Sequence, residues 1–548
     1  MQTRFSTQQR DRQREYLENT SFDMIVIGGG ITGSGIALDA VTRGMKVALI
    51  ERKDFASGTS SRSGKLIHGG LKYLKNFEFS IVKEVGRERD IVYNNARHLV
   101  YPINMVFPLI KGESFNKITL KAGLTVYDRL AGVKSEERHE IHSKKSTLQN
   151  EPLFHKKTVT GSGEYVEYRT DDSRLTMETA KTAFEKGAAV LNYTEMTDFI
   201  RDAEEKITGI LVNDRLNDDS FLLHGTYIVN AAGPWVDEVR KKDHPITGKH
   251  MVHAKGIHLV FPYEKIPVHS SIYFQHNGRM IAVIPRGDTT YVGSTESLYE
   301  EDMNNIYVYK SECDYLIGCL YDMFPDLDIS INDIASSWAG IRPLIGHDNS
   351  KPSELSRHDE IFESEAGLIT IAGGKLTGYR KMAERIMDYV ARRGHIKLSP
   401  SQTERVSLAG GNFASEQDMH LYMNELYKQY EHLQLSKQDI HTYVFRYGSR
   451  TGLLLEQIEA FDSSHTNHEK RNIAAEAMYT VEHEMVATLA DFYDRRTSYL
   501  LFDIDRVKRT EPVVTEILAN KLNWDSYRQE EERHSIQVLI DQALTFLE

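Results

Sequence analysis

The chain has 548 residues, 40% hydrophobic and 27% charged, with a formal net charge of −12. This is ordinary globular composition, with material for roughly three domains, and the acidic balance gives no reason to expect a nucleic-acid partner. The leading segment MQTRFSTQQRDRQREYLENT lacks the apolar core of a signal peptide, and nowhere do 18 apolar residues run together, so neither export by that route nor a membrane span is expected. Cys313 and Cys319 lie six residues apart, on different faces of a helix, which predicts neither a disulfide framework nor a metal knuckle and suits a reducing cytoplasm.

The first twenty residues are polar and read as a frayed or helical lead-in. Asp23 to Glu51 then reads as a complete strand, turn, helix and strand for binding a dinucleotide. An apolar run from Met24 to Ile27 enters Gly28, Gly30 and Gly33, and a second strand, Val47 to Ile50, ends in the carboxylate of Glu51. Gly28 serves the tight turn, Gly30 lets the backbone approach a pyrophosphate, and Gly33 allows close packing of helix on strand. The phosphates belong at the helix N-terminus, beside Ile31 and Thr32, where unpaired N–H groups and the dipole favour anions. Glu51 follows Gly33 by 18 residues, near the spacing of an acid that holds ribose hydroxyls, and a carboxylate there would repel a 2′-phosphate. FAD or NAD is therefore expected, and NADP is not.

Residues Phe55 to Leu74, FASGTSSRSGKLIHGGLKYL, combine small residues and hydroxyls with the Gly69–Gly70 pair, a composition that lets backbone run against a flat ligand. A largely helical segment is predicted to about residue 135, then alternating strands and helices to about residue 230. Tyr227 to Trp235, YIVNAAGPW, reads as a buried strand ending in a small-residue turn. Gly367 to Arg393 repeats strand, glycine turn and helix, so Gly373 and Gly374 could present a second N-terminus to the same ligand. Beyond Ser399 the glycine-rich α/β pattern gives way to long helical patterns through Glu548, the mark of a separate helical domain. Four turns, near residues 28, 65, 232 and 374, suit an extended FAD better than a more compactly bound NAD. Two other features carry little. His483 in HEMVA opens a zinc-helix pattern, but Ala487 stands where the second histidine belongs, so no metal is predicted; Glu530 to Glu532 read as a solvated helix face.

VIGGGITGSGIALDA, GTSSRSGKLIHGGLKYL, YRTDDSRL, NAAGPWVD, KGIHLVFP, IAVIPR, YVGSTES, WAGIRPL and AGGKLTGYRKMAE follow one another from residue 25 to about residue 384. Together they resemble the FAD-dependent glycerol-3-phosphate dehydrogenases, and YGSR at Tyr447 and VEHEM at Val481 resemble that family's C-terminal domain. The resemblance spans nearly the whole chain. It implies an α/β fold: a Rossmann-like FAD-binding domain, an antiparallel-sheet substrate domain and an all-helical C-terminal domain. The FAD-dependent region is expected over 20–400, its FAD domain mainly 20–80, 160–250 and 335–395, its substrate domain mainly 81–159 and 251–334, with the helical domain over 401–548. The implied reaction oxidises sn-glycerol 3-phosphate to dihydroxyacetone phosphate, in glycerol catabolism, with electrons passed to a membrane quinone. The implied location is the cytoplasm, in peripheral contact with the inner face of the cell membrane, and a homodimer is one allowed assembly. An oxidase that reduces oxygen is the alternative, and a flavoprotein using FAD only structurally is a third reading.

The implied cofactor contacts comprise Gly28, Gly30, Ile31, Thr32 and Gly33; Glu51 and Arg52; Thr59, Ser60 and Ser61; Lys65, Leu66, Ile67, His68 and Gly69; Ala231, Ala232 and Gly233; and Gly374, Lys375, Leu376 and Thr377. Arg342 and Arg357 resemble the substrate-pocket arginines, suited to bidentate phosphate contacts, with Lys72 and Tyr73 beside them. Lys72 stands where many relatives carry Arg, replacing a fork by a point charge. GSTES, Gly293 to Ser297, departs from the more usual Gly-Thr-Thr-Asp, which weakens any role for that turn. His258 is the better candidate base, as histidine titrates near working pH; His68 is its rival, and Lys375 would lie by the flavin ring to stabilise negative charge on it. From Arg97 to Lys134 six Lys/Arg face two Asp/Glu, interleaved with Val106, Phe107, Leu109, Ile110, Phe115, Ile118, Leu120 and Leu124, a mixture that could lie on an anionic interface.

Overall fold

The computed structural model describes residues 4–68, 78–112, 116–346, 358–461 and 467–548. Its first sheet has eight strands, and its parallel centre runs through Ile369–Ala372, Asp219–Asn230, Ser21–Ile27, Val47–Ile50 and Ala189–Leu191. Met24, Ile25 and Val26 have no exposure, as expected of a parallel strand covered on both faces. The helix Ile31–Thr42 crosses over this centre, and the helices Asp172–Glu185 and Tyr379–Arg393 pack against it. Small residues make that layer possible. A Cβ on Gly33 would lie 1.8 Å from the Gly28 carbonyl oxygen, and one on Gly35 would lie 2.8 Å from the Tyr379 ring.

The second sheet has ten strands and is largely antiparallel. Its centre is the strand His250–Pro262, paired with Ser336–Gly346 on one side and Thr289–Gly293 on the other. The sequence-based division shifts at two places: Val159–Thr170 and Ser336–Gly346, assigned above to the FAD domain, are strands of this second sheet. A further difference is Val100–Ile110, an 11-residue strand inside the stretch expected to be largely helical. Pro102 and Pro108 break a helical reading, and alternation is lost because Met105 to Leu109 are all buried.

The C-terminal helices carry two apolar cores of their own, one around Tyr447 and Leu455 and one around Phe492 and Val514. A six-residue π-helix, Asp491–Arg496, joins them to the α/β part. Arg495 and Arg496 pair with the fully buried Asp54 at 2.7 and 2.6 Å, and Asp494 pairs with Arg62 at 2.7 Å. Arg174 reaches Glu484 at 2.5 Å across the same interface. The lead-in docks there too: its helix, Arg10–Glu18, sends Arg10 to Asp214 at 2.8 Å, and the Ser6 hydroxyl donates to the Val481 carbonyl. Glu530 to Glu532 is not a uniformly solvated face, since Glu532 is 4% exposed and accepts from the Leu489 N–H. Burial raises its carboxyl to about 7.

Burial alone would raise the Asp54 carboxyl, but the Coulombic pull of Arg496 and Arg495 brings it down to about 2. A depressed acid contributes stability that is present above its unfolded value, about 3.9, and lost as pH falls through its folded value. Asp54→Asn leaves two buried guanidinium groups undercompensated, so a loss of about 3–5 kcal/mol is expected in urea denaturation at pH 7. The gap between variant and wild type should narrow between about pH 4 and pH 2.

Candidate active site

A cavity of about 1120 Å³ runs between the two sheets, more than the ~300–1,000 Å³ of a pocket for one small ligand. At one end stands the glycine turn. Gly28 has φ +113°, a left-handed value that favours glycine, and a Cβ there would lie 2.6 Å from the Ala231 carbonyl oxygen. Gly30 caps the following helix without a side-chain bond, so backbone lies open to the cavity, and Ser60 Oγ accepts from the Ile31 N–H. Glu51 Oε2 accepts from the Gly29 N–H at 2.7 Å and Oε1 from the Lys53 N–H at 2.9 Å, which aims the carboxylate along the turn. Desolvation raises this carboxyl above its usual range, against the lowering effect of those two N–H donors. Each oxygen keeps a second lone pair for a sugar hydroxyl. Arg52 lies over the Trp235 ring at 4.6 Å.

The same cavity is lined by Thr32, Thr59, Leu66 and His68, by Ala231 to Gly233, and by Gly374 to Thr377. Four expected cofactor contacts do not reach it. Gly33 packs the helix onto its strand, Ser61 and Ile67 are buried behind the wall, and Lys65 turns inward to Asp172 at 2.5 Å with its Nζ 5.5 Å from the Trp338 ring. Buried Asp172 provides the counter-charge that the sequence reading of Lys65 lacked. Gly373 and Gly374 form a left-handed turn ahead of the helix Tyr379–Arg393, whose N-cap is Gly378, so the turn and not the helix end meets the cavity. Gly69, Lys72, Tyr73 and Arg357 lie outside the described residues.

His258 and Arg342 come together on the second sheet. In the register between the strands His250–Pro262 and Ser336–Gly346, His258 opposes Trp338, Gly256 opposes Gly340, and Ala254 opposes Arg342. Alternate residues share a face, so the imidazole and the guanidinium stand on one face, and the Gly–Gly pair between them makes room for the guanidinium over Gly256 and for the Arg62 carbonyl over Gly340. His258 stacks on Trp338 with centroids 4.7 Å apart at 12°, and its Nδ1 has no hydrogen-bond partner among the described residues. Burial first, then the cations Arg342 and Lys65, lower the imidazole to about 3. The expectation that His258 titrates near working pH is thereby corrected: the ring is neutral and its lone pair available throughout that range. Arg342 donates to Ser294 Oγ at 2.6 Å and to the Thr295 carbonyl at 3.3 Å. Trp338 and Ser294 received no role from the sequence. The WAGIRPL motif placed Trp338 four residues before Arg342, a strand spacing that signals a shared face.

These parts are those of a dinucleotide-dependent oxidoreductase, with His258 and Arg342 on the wall of the same cavity. The chain matches the family described as FAD dependent oxidoreductase over residues 23–380 and the C-terminal domain of alpha-glycerophosphate oxidase over 401–529. It is 44% identical over 554 residues to the aerobic glycerol-3-phosphate dehydrogenase of Bacillus subtilis (strain 168), covering 100% of both chains. It is 43% identical to the enzyme of that name from Staphylococcus haemolyticus, covering 98% of each. The solved glycerol-3-phosphate dehydrogenase from Bacillus halodurans, complexed with FAD, superposes with a TM-score of 0.85 at 36% identity, covering 99% of both chains. L-alpha-glycerophosphate oxidase from Mycoplasma pneumoniae, at 18% identity and a TM-score of 0.54 over 70% of this chain and 97% of its own, shares the fold. The protein belongs to the FAD-dependent oxidoreductases and, within them, to the aerobic glycerol-3-phosphate dehydrogenase family. Its cofactor is FAD.

The glycine turn and Glu51 fit the adenosine diphosphate part of FAD. Glu51→Arg should lower the flavin content of the purified protein while leaving the helical C-terminal part folded by circular dichroism. Full wild-type flavin content in that variant would remove Glu51 from the cofactor site.

Proposed function

We propose that the protein oxidises sn-glycerol 3-phosphate to dihydroxyacetone phosphate and passes the electrons to a membrane quinone, in glycerol catabolism. The carrying observation is the strand register that sets His258 and Arg342 on one face, in the same cavity as the glycine turn and Lys375. FAD, when bound, supplies the acceptor for the hydride that leaves the carbinol carbon. Arg342 binds the phosphate and fixes the alcohol in place, a contact of about 1.5–3 kcal/mol net for a charge-assisted hydrogen bond. Neutral His258 accepts the hydroxyl proton. Lys375, which lines the same cavity after the left-handed Gly373–Gly374 turn, contributes positive charge. His68 is exposed toward the same cavity, and its carbonyl accepts from the Thr377 hydroxyl at 3.4 Å, which leaves it as the second candidate for the proton.

Anaerobic glycerol 3-phosphate should bleach the flavin band of the purified protein; no change would overturn the reading. Arg342→Lys keeps the charge and loses the fork, so KM should rise at least tenfold with a smaller fall in kcat. His258→Asn should instead slow single-turnover bleaching by about 10²–10⁴-fold with little change in binding. Normal rates in that variant would assign the proton to His68 or to solvent.

Among the described residues no helix is long and apolar enough to cross a membrane, so a lipid-dissolved quinone would be met at the bilayer surface. Most apolar residues of 97–134 are spoken for: Val106, Phe107, Leu109, Leu120 and Leu124 are buried, Ile110 is half-buried, and Phe115 lies outside the described residues. What remains is the outer face of the helix Lys117–Ala131. Ile118, 80% exposed, and Val126 stand there with Lys117, Lys121 and Arg129, while the helix's one acid, Asp128, is buried against His139. The inner face shares one apolar cluster with Met105, Tyr273 and Met280, which line the cavity. Each cation near an anionic surface adds about 1 kcal/mol. Lys117→Glu with Lys121→Glu should weaken binding to anionic vesicles and slow quinone reduction while leaving dye-linked activity intact. Stoichiometric hydrogen peroxide in place of quinone reduction would select the oxidase.

A further inference from the structure

We propose that Trp338 is a positioning residue, whose indole face holds the His258 ring in the orientation from which that ring takes the hydroxyl proton. The inference rests on the reading above that His258 is the base. A base needs its ring fixed as well as its lone pair free, and the usual device is a third group hydrogen-bonded to the second ring nitrogen. His258 has no such group among the described residues, since its Nδ1 is buried without a hydrogen-bond partner. What the ring has instead is a flat surface. Trp338, directly opposite on the strand Ser336–Gly346, lies 4.7 Å away between centroids and within 12° of parallel. On the other side the cross-strand neighbour is Gly293, where a Cβ would collide with the imidazole, so that strand brings no side chain to pack on it.

Trp338 is itself held from several sides. Its Nε1–H donates to the Ser63 carbonyl at 3.2 Å. Tyr291 lies 5.7 Å from the indole and donates from its hydroxyl to the next carbonyl, that of Gly64, at 3.2 Å. Phe502, from the C-terminal helices, closes on the indole at 5.7 Å and 66°. The backbone that Trp338 grips runs beside the base, since a Cβ on Gly64 would lie 3.5 Å from His258 Nε2. One indole therefore orients the imidazole by its face and holds the neighbouring backbone by its N–H. The face also suits the product of the proposed step, because a positive charge forming on the imidazole meets the negative π-cloud of the indole.

Trp338→Phe keeps a flat ring against the imidazole, whereas Trp338→Leu and Trp338→Met fill the space without one. Each variant is purified as holoenzyme, and flavin content, KM for glycerol 3-phosphate with a dye acceptor and the single-turnover rate of anaerobic bleaching are measured. Trp338→Phe should bleach within about threefold of the wild-type rate, while the Leu and Met variants should bleach about tenfold more slowly or worse, with KM within about threefold. In the His258→Asn background the same substitutions should change the rate by less than about twofold, because an absent ring has no orientation to lose. Equal rates for the Phe, Leu and Met variants would overturn the proposal. So would a loss of the same size in the His258→Asn background, which is what an indole that only supports the fold would cause. Wild-type bleaching by His258→Asn alone would instead refute the reading of His258 as the base.

Discussion

The register between the strands His250–Pro262 and Ser336–Gly346 is the constraint on which the site depends. Eleven consecutive pairs run without interruption from His250 opposite Gly346 to Val260 opposite Ser336. Because side chains alternate, a slip of one residue would turn either His258 or Arg342 to the other face of the sheet. The glycines are part of the same specification. Gly256 and Gly340 face one another between His258 and Arg342, and a Cβ on Gly340 would lie 2.3 Å from the Arg62 carbonyl oxygen. A filled position there would separate the loop 54–63 from the sheet, two walls of the one cavity.

That loop is held from its other side by charge. Asp54 is buried against Arg495 and Arg496, and Arg62 meets Asp494, all three partners coming from one π-helix of the C-terminal part. Buried ion pairs are weak arguments for stability, since desolvation consumes much of the Coulombic gain. They are strong arguments for position, because a misplaced partner leaves an uncompensated charge. The wider turn of a π-helix delivers Asp494, Arg495 and Arg496 in succession to one interface, which fits the tendency of such segments to occur where function needs an unusual side-chain direction. The helical domain thereby sets the geometry of the loop that lines the cofactor cavity, and Thr59 completes the link by donating to the Ile341 carbonyl next to Arg342.

Local features were legible in the sequence, and long-range ones were not. The strand, glycine turn, helix and strand from residue 21 to residue 50 are readable because their signals are local: two short apolar strands, and a turn in which Gly33 packs on the Gly28 carbonyl five residues earlier. The strand Val100–Ile110 was hidden because burial on both faces erases its alternation, so periodicity has nothing to report. The pairing of Lys65 with Asp172, 107 residues away, had no local signal. Ser294 was discounted as a departure from a common pattern, although its hydroxyl meets Arg342 across 48 residues. The Glu530 to Glu532 run misled for the same reason, since one of its three carboxylates turns inward to a backbone N–H contributed by residue 489.

The depressed basicity of His258 gives the site an order of events. In the free protein the ring is opposed first by its own burial and then by Arg342 and Lys65, so it holds no proton at neutral pH. Lys65 is already paired with Asp172, whereas Arg342 lies on the cavity wall with a hydroxyl and a carbonyl against it. On the proposed reading, a phosphate seated on Arg342 cancels the cation that most opposes an imidazolium, and it raises the proton affinity of His258 at the moment the alcohol arrives. Phosphate binding and proton acceptance are then two effects of one charge. An alcohol without a phosphate would lose the contact with Arg342 and would also meet a poorer base, so specificity would extend to the rate of the chemical step as well as to binding.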